Sequence, residues 1–118
     1  PNRRLPKKFI LRGRNHFRLL KTSGARRAGK FLVCNYLKVD EARKVAFIIP
    51  KACGPAVTRN RIRRRMREGY RLLQDRILPK VSIVWIARRT SSAATYDQLK
   101  LEMEQLLQRS GLWLEVTK

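Results

Sequence analysis

The segment 59–71 constrains the fold more than any other part of the chain, because its thirteen residues include seven arginines and one acid, Glu68. On a helix at ~100° per residue, one side of this segment is an apolar stripe of Ile62, Met66, Gly69 and Leu73. The opposite side carries Asn60, Arg63, Arg64, Arg67 and Arg71, with Arg59, Arg61 and Arg65 on the flanks. The pattern predicts a helix that packs through its apolar stripe and presents guanidinium groups outward.

The arginine side of this predicted helix indicates a polyanionic partner. Positive charges three and four residues apart on a helix repel each other, and Glu68 is the only acid in the segment to offset them. Guanidinium groups pair with phosphate oxygens through two parallel hydrogen bonds and stay charged at any working pH. A solvated surface helix usually mixes charges of both signs, and this one does not. We therefore interpret the segment as a nucleic-acid-binding helix.

Length and charge place this helix within one basic domain. A chain of 118 residues, 43% of them hydrophobic, is long enough for one compact core and too short for two. We therefore expect 1–118 to be a single nucleic-acid-binding domain with a basic N-terminal arm at 1–13. The net charge of +21 is unevenly distributed along the chain. Residues 1–89 hold 26 Lys and Arg and four acids, whereas residues 90–118 hold three Lys and Arg and four acids. The partner surface is therefore expected in the first three quarters of the chain.

The chain carries little that suits catalysis or metal binding. His16 is the only histidine, it has no evident partner, and the acids are scattered. No catalytic residue and no metal site is expected on the protein, so any chemistry should lie in its partner. Cys34 and Cys53 fit no metal or redox spacing and are expected to be reduced thiols. No apolar run approaches ~18 residues and no secretory signal is recognisable, so we expect a cytoplasmic protein without membrane contact.

Periodicity and turn residues predict the elements that surround the basic helix. A short helix is expected at 15–22, a basic turn at 24–29, and two strands at 31–38 and 45–49 that pair as an antiparallel hairpin. In the first of these strands Leu32, Cys34 and Tyr36 share one face. The basic helix should open at Gly54-Pro55 and end near Arg76 or Leu78.

The last quarter is predicted to be a buried strand followed by a helix. The continuous apolar run Val81–Ala87 is typical of a central strand, and a polar loop follows it. Thr95 and Gln98 match a capping box for a final helix, whose core-facing residues are Leu99, Met103, Leu106 and Leu107. Gly111 should end that helix, and residues 112–116 are expected to fold back on the body.

Within the basic helix, the run Arg59-Asn60-Arg61-Ile62-Arg63-Arg64 follows Gly54-x-Ala56-Val57 and precedes Arg67-Glu68. This motif resembles the arginine-asparagine-arginine signature of the protein subunit of bacterial ribonuclease P. The order of elements also resembles that of the family, and the resemblance covers nearly the whole chain. The segments that resemble family elements are Leu5-Pro6-Lys7, Asn15-x-Phe17, Phe31-Leu32-Val33, Val84-x-Ile86-Ala87-Arg88 and Thr95-Tyr96-x-x-Leu99.

The resemblance implies a fold and an activity. The fold is a single two-layer α/β domain, α-β-β-β-α-β-α, whose mixed sheet is packed by helices with a left-handed crossover around the basic helix. An extra short strand would lie near 26–30, where the residues by themselves indicate a turn. The implied role is that of the non-catalytic protein cofactor of an RNA enzyme. That enzyme removes the 5′ leader from precursor tRNA by metal-assisted hydrolysis, with Mg²⁺ held mainly by the RNA.

The resemblance also implies two RNA surfaces. The catalytic RNA would bind the basic helix and its entry, through Arg59, Asn60, Arg61, Arg63, Arg64, Arg67, Arg71 and Lys51. The single-stranded leader would bind a cleft between the first helix and the sheet, through Phe17, Leu32, Cys34 and Arg88. Tyr36 lies on the same strand face and would extend this cleft. The partners are therefore the catalytic RNA and precursor tRNA, and we expect a monomeric protein with one copy per RNA.

Four positions depart from the family pattern. Pro50-Lys51-Ala52 stands where the family often has Ser-Lys-Lys, so one lysine that contacts the RNA backbone is missing. Cys34 stands where tyrosine is common, and Lys21 replaces a second aromatic residue of the first helix. These departures weaken the expected stacking in the leader cleft more than the expected binding of the catalytic RNA.

Three other functions are compatible with parts of the sequence. A ribosomal or other structured-RNA-binding protein would share the charge and the fold class, and the RNA that copurifies would distinguish it. A DNA-binding protein would read the major groove with the basic helix, but no helix-turn-helix partner or dimer seam is apparent. A stand-alone nuclease would need catalytic residues that the sequence does not offer.

Overall fold

The computed structural model describes residues 24–114 and shows a mixed four-stranded sheet with two helices packed on one face. In chain order the elements are β1 (Ala25–Ala28), β2 (Leu32–Lys38), β3 (Lys44–Ile48), α1 (Ala56–Leu73), β4 (Val81–Ala87) and α2 (Tyr96–Arg109). Short 3-10 helices at Lys51–Cys53, Gln74–Arg76 and Arg89–Ala93 lie in the connections. The arm predicted at 1–13 and the helix predicted at 15–22 lie outside the described residues.

Strand β4 is central in the sheet, whose strand order is β1-β2-β4-β3. It pairs antiparallel with β2 and parallel with β3. Every residue of β4 except Ile86 is buried, because the strand is covered on both faces. The central position predicted from its continuous apolar run is confirmed.

The antiparallel hairpin predicted between the strands at 31–38 and 45–49 is wrong. Strand β4 inserts between them, so that β3 contacts β4 in parallel register, from Lys44 opposite Ser82 to Ile48 opposite Ile86. Because β2 also pairs with β1, a hairpin of β2 and β3 would leave the most apolar strand, β4, at an edge with one side of its backbone unpaired. The parallel pair also explains the position of α1, since parallel strands need a long crossover connection, usually helical. The left-handed sense of this crossover stays a prediction.

The turn predicted at 24–29 is also wrong, because Ala25–Ala28 form the edge strand β1. The strand pairs antiparallel with β2, from Ala25 opposite Tyr36 to Ala28 opposite Val33. All four of its residues are exposed, so it shows no hydrophobic alternation and is held by backbone pairing. The extra strand implied by the family resemblance is present at this place.

The main core lies between the sheet and the two helices. From α1 it receives the predicted stripe of Ile62, Met66 and Leu73, together with Tyr70, which the periodicity did not single out. Gly69 is also buried, and α1 ends at Leu73 with a 3-10 turn to Arg76. From α2 the core receives Leu99, Met103, Leu106 and Leu107, as predicted. A smaller apolar cluster around Ala46 and Val84 occupies the opposite face of the sheet.

Both ends of α2 agree with the prediction from the sequence. Thr95 and Gln98 form the predicted capping box, in which Gln98 N donates to Thr95 Oγ1 at 3.1 Å and Thr95 N donates to Gln98 Oε1 at 2.9 Å. The helix ends at Arg109, and Gly111 takes a left-handed backbone with φ of 73°. The following residues return to the body, where Leu114 N donates to Arg76 O at 2.6 Å. Neither α1 nor α2 is long and apolar enough to span a membrane.

Two glycines should respond in opposite ways to alanine. A Cβ at Gly69 would meet Lys100 Cβ at 3.4 Å and Met103 Sδ at 3.5 Å, which are ordinary van der Waals contacts. We expect Gly69→Ala to raise the free energy of unfolding by about 0.5–1 kcal/mol, because alanine favours a helix interior. The φ of Gly54 is 128°, a backbone angle that alanine rarely adopts. Gly54→Ala should therefore lower the free energy of unfolding by about 1–3 kcal/mol. Urea denaturation measures both, and a destabilised Gly69→Ala protein would contradict the described helix packing.

Candidate nucleic-acid interface

The outward side of α1 is a row of polar side chains that are exposed or half-exposed, here called the arginine ridge: Asn60, Arg63, Arg64, Arg67 and Arg71. Arg63 Nη1 donates to Asn60 Oδ1 at 3.1 Å. Arg71 donates to both carboxylate oxygens of Glu68, at 2.6 and 3.0 Å, and this pairing holds the pKa of Glu68 below its ordinary value. Within the described residues this is the one ion pair of the ridge, so the row keeps most of its positive charge.

The arginines that flank the ridge have partners inside the protein. Arg61 Nη2 donates to Ser92 O at 3.3 Å, and Arg65 Nη1 donates to Ala94 O at 2.7 Å. Arg59 Nε donates to Gly54 O at 3.1 Å, at the start of the same helix. All three side chains are half-exposed. Arg61 and Arg65 therefore tie α1 to the segment after β4, in addition to any contact that they make with RNA.

Arg67 lies against an aromatic pair at the edge of the sheet. Its guanidinium carbon is 5.8 Å from the centroid of the Phe47 ring, within the range of a cation–π contact. Phe47 in turn meets Tyr70 edge to face, with centroids 5.7 Å apart. Burial raises the pKa of Tyr70 to about 12, so this phenol is neutral at physiological pH. The stack restricts where Arg67 can point and keeps its charge at the surface.

The carboxyl end of β4 brings a second group of cations to the end of the molecule where α1 begins. Cys53 Sγ lies 3.5 Å from Arg88 O and 4.0 Å from Ser91 Oγ, so the 3-10 helices Lys51–Cys53 and Arg89–Ala93 are in contact. Lys51 and Arg88 are both exposed. Arg61 reaches Ser92 O from α1, so the first turns of α1 contact the segment that follows Arg88.

The predicted leader residues do not all reach a surface. Leu32 and Cys34 are 0% exposed and lie in the main core with α1 and α2, so their side chains cannot contact RNA in this conformation. The alternation that put them on one face was correct, but that face is the one covered by helices. Tyr36 is half-buried against the same core, and Arg88 is exposed. Phe17 lies outside the described residues.

Two residues near Arg88 were missed by the sequence reasoning. Arg88 Nη1 donates to Gly29 O at 2.6 Å, which places the turn between β1 and β2 beside the guanidinium. On that turn Lys30 Nζ is 5.3 Å from the centroid of the half-exposed Phe31 ring. A basic residue followed by an aromatic one at a strand start was the available signal, and the turn assignment at 24–29 obscured it.

The sequence model of one protein family, Ribonuclease P, matches residues 5–111, which is most of the chain. The chain belongs to the ribonuclease P protein family. The ribonuclease P protein component of Clostridioides difficile strain 630 is 36% identical over 98 residues, covering 81% of this chain and 86% of that protein. The component from Roseiflexus sp. strain RS-1 is 49% identical over 70 residues, but those cover 58% of this chain and 57% of that protein.

Solved structures of ribonuclease P proteins have the same fold. The Staphylococcus aureus protein superposes with a TM-score of 0.80 at 24% identity, covering 97% of this chain and 98% of that one. The Thermotoga maritima protein superposes with a TM-score of 0.77 at 24% identity, covering 85% and 96%. The shared fold agrees with the resemblance seen in the sequence. The family model and the Clostridioides difficile relative confirm the role as the protein cofactor of ribonuclease P, the endoribonuclease of tRNA 5′ maturation. The RNA-contacting residues stay predictions.

The arginines of α1 should separate into two classes by their effect on stability. We expect Arg65→Ala to lower the free energy of unfolding by about 1–2 kcal/mol, because it removes a charge-assisted hydrogen bond and leaves Ala94 O without its donor. Arg64→Ala should change it by less than about 0.5 kcal/mol, because that exposed side chain makes no hydrogen bond within the described residues. Chemical denaturation of both variants provides the measurement. Equal effects would show that the contact of Arg65 with the loop contributes nothing.

The burial of Cys34 can be tested by its reactivity. Burial raises the pKa of the Cys34 thiol to about 12, because the charged thiolate is disfavoured away from water. At pH 8 the group is therefore almost entirely protonated as well as inaccessible. We expect iodoacetamide to leave Cys34 unmodified in the folded protein and to modify it in urea, as read by mass spectrometry of the Cys34 peptide. Rapid modification of the folded protein would restore Cys34 as a surface residue of a leader cleft.

Proposed function

We propose that this ribonuclease P protein acts through one continuous basic surface, whose arginine ridge binds the catalytic RNA and whose Arg88 end binds the 5′ leader. The observation that carries the proposal is the composition of the ridge. Its exposed cations are backed by a buried apolar stripe, and only Arg71 is paired with a carboxylate among the described residues. Guanidinium groups that have no carboxylate partner and stand in a fixed row are suited to pair with the phosphates of a folded RNA.

The chemistry of leader removal is assigned to the RNA. Within residues 24–114 no group of three or more His, Cys, Asp or Glu side chains is placed to hold a metal ion. We propose that the RNA subunit holds the hydrolytic metal, and no step is assigned to an ion on the protein. The protein contributes position and charge, because its cations screen the repulsion between the phosphates of ribozyme and substrate.

For the leader we propose Arg88 as the main described contact. Its guanidinium is exposed and already fixed by the hydrogen bond to Gly29 O, which leaves most of its N–H donors for phosphate. Tyr36 is retained as a half-buried candidate, and Phe17 as a candidate outside the described residues. Leu32 and Cys34 support the sheet from within the core and are not assigned a contact. The holoenzyme is proposed to be cytoplasmic and to contain one protein monomer per catalytic RNA.

Charge reversal on the ridge tests the proposal. We expect Arg64→Glu combined with Arg67→Glu to weaken binding of the catalytic RNA by at least about 100-fold, because two phosphates would then face carboxylates. The same variant should lose stimulation of precursor-tRNA cleavage at low Mg²⁺. Filter binding with the cognate RNA and cleavage assays across a Mg²⁺ titration provide the measurements.

A matched control distinguishes the effect of the ridge on RNA binding from the effect of overall net charge. Lys80→Glu combined with Arg109→Glu makes the same change in charge at two exposed positions near the opposite end of β4. Binding of the catalytic RNA should then fall by no more than about threefold, because screened charges act weakly over that distance. Equal losses in both double variants would show that overall charge, and not the ridge, binds the RNA.

A further inference from the structure

Glu102 is a buried carboxylate whose partners are backbone N–H groups and not arginines. It lies in the middle of α2, is 9% exposed, and points at the turn between β1 and β2. Its oxygens accept hydrogen bonds from Lys30 N at 2.7 Å, Phe31 N at 2.8 Å and Leu32 N at 2.7 Å. A carboxylate that accepts several N–H groups is well stabilised without a cation. The one buried acid among the described residues is thus used to hold a turn.

The carbonyl side of the same turn is held by the segment after β4. Gly29 O accepts from Arg88 Nη1 at 2.6 Å, and Phe31 O accepts from Arg88 N at 2.8 Å. Lys30 O accepts from the hydroxyl of Thr90. The remaining pair closes within the turn, where Gly29 N donates to Leu32 O at 2.8 Å. Every backbone N–H and C=O of residues 29–32 therefore has a partner, and Glu102 supplies three of them.

This arrangement fixes a guanidinium as well as a turn. Arg88 is exposed, and among the described residues its recorded side-chain partner is Gly29 O, so its position depends on where the turn lies. The position of this turn depends on Glu102, because no other described acceptor binds Lys30 N or Phe31 N. Glu102 makes no ion pair with Arg88, so the positive charge of that arginine is not cancelled.

We propose that Glu102 is a positioning residue for leader binding, because its buried carboxylate fixes the β1–β2 turn that holds the Arg88 guanidinium against the RNA. This inference rests on the proposed role of Arg88 in leader binding. It adds a residue from α2, in the quarter of the chain with almost no net charge, to a function that the sequence assigned to the basic part. Glu102 itself does not contact RNA.

The first test replaces the carboxylate by an amide of the same size. In the holoenzyme with its cognate RNA, Glu102→Gln should weaken binding of precursor tRNA with a 5′ leader by about tenfold, the scale of one displaced charge-assisted hydrogen bond. Binding of leaderless tRNA, and of the protein to the catalytic RNA, should be unchanged. Glu104→Gln is the control, because this residue of the same helix accepts none of the three hydrogen bonds. Loss of affinity for all three RNAs would overturn a positioning role.

A double-mutant cycle shows whether Glu102 acts through Arg88. If it does, Arg88→Ala should weaken leader binding, and adding Glu102→Gln to that variant should change it little further. Additive losses would overturn the inference and leave the role of Arg88 intact. If Arg88→Ala leaves leader affinity unchanged, the proposed function of Arg88 fails, and a loss in Glu102→Gln alone would then have another cause.

A second variant moves the carboxylate without changing any charge. A Cβ at Gly29 would lie 2.6 Å from Glu102 Cδ, so Gly29→Ala must push the carboxylate away from the turn. We expect Gly29→Ala to reproduce the loss of leader affinity, with circular dichroism reporting a folded protein. In a Glu102→Ala background the added methyl group has room and should cause no further loss. Wild-type leader affinity in a folded Gly29→Ala protein would overturn the inference even if Glu102→Gln fails to fold.

Discussion

Repulsion among the arginines of α1 is the constraint on which the rest of the structure depends. An isolated helix with this sequence would be disfavoured, because like charges three and four residues apart destabilise each other. The helix persists because Ile62, Met66 and Tyr70 are removed from water on its other side, where each is at most 1% exposed. Burial of a large apolar side chain contributes about 1.5–3 kcal/mol, which exceeds the few tenths of a kcal/mol that each repulsive pair costs. Packing therefore holds the charges in a fixed row.

The sheet decides where that row lies relative to the other cations. With β4 in the centre and parallel to β3, the chain must cross from one end of the sheet to the other through α1. The start of α1 and the end of β4 then lie at the same end of the domain, where Lys51 and Arg88 also emerge. The parallel direction of β3 and β4 thus brings the start of α1 and the segment of Arg88 to one end of the sheet.

The features predictable from sequence were those governed by local periodicity or local hydrogen bonds. The stripe of Ile62 and Met66 follows from helical spacing, and the capping box at Thr95 follows from residue identity at two positions. The apolar run of β4 indicated a central strand, but the neighbour of β3 depends on long-range strand pairing, which the pattern within a single strand does not encode. Leu32 and Cys34 illustrate the same limit, because alternation shows that they share a face but not what covers it. An apolar face opposite two amphipathic helices is where those helices pack. Glu102 was overlooked although it lies on the inward side of α2, between Leu99 and Leu106, where a carboxylate is unexpected.

A protein that binds RNA through its charge has little use for salt bridges, because each one cancels a cation that the RNA would otherwise meet. The described residues avoid this loss by pairing arginines with backbone carbonyls. Arg43, Arg59, Arg61, Arg65, Arg76 and Arg88 all donate to main-chain oxygens. Such bonds satisfy carbonyls in loops and at element ends, yet they leave the full positive charge in place, since a carbonyl is a dipole and not an anion. Glu102 is the complement of this pattern, because an acid that binds N–H groups stabilises a loop without neutralising an arginine. The same interactions thus hold the fold and preserve the field that attracts the RNA.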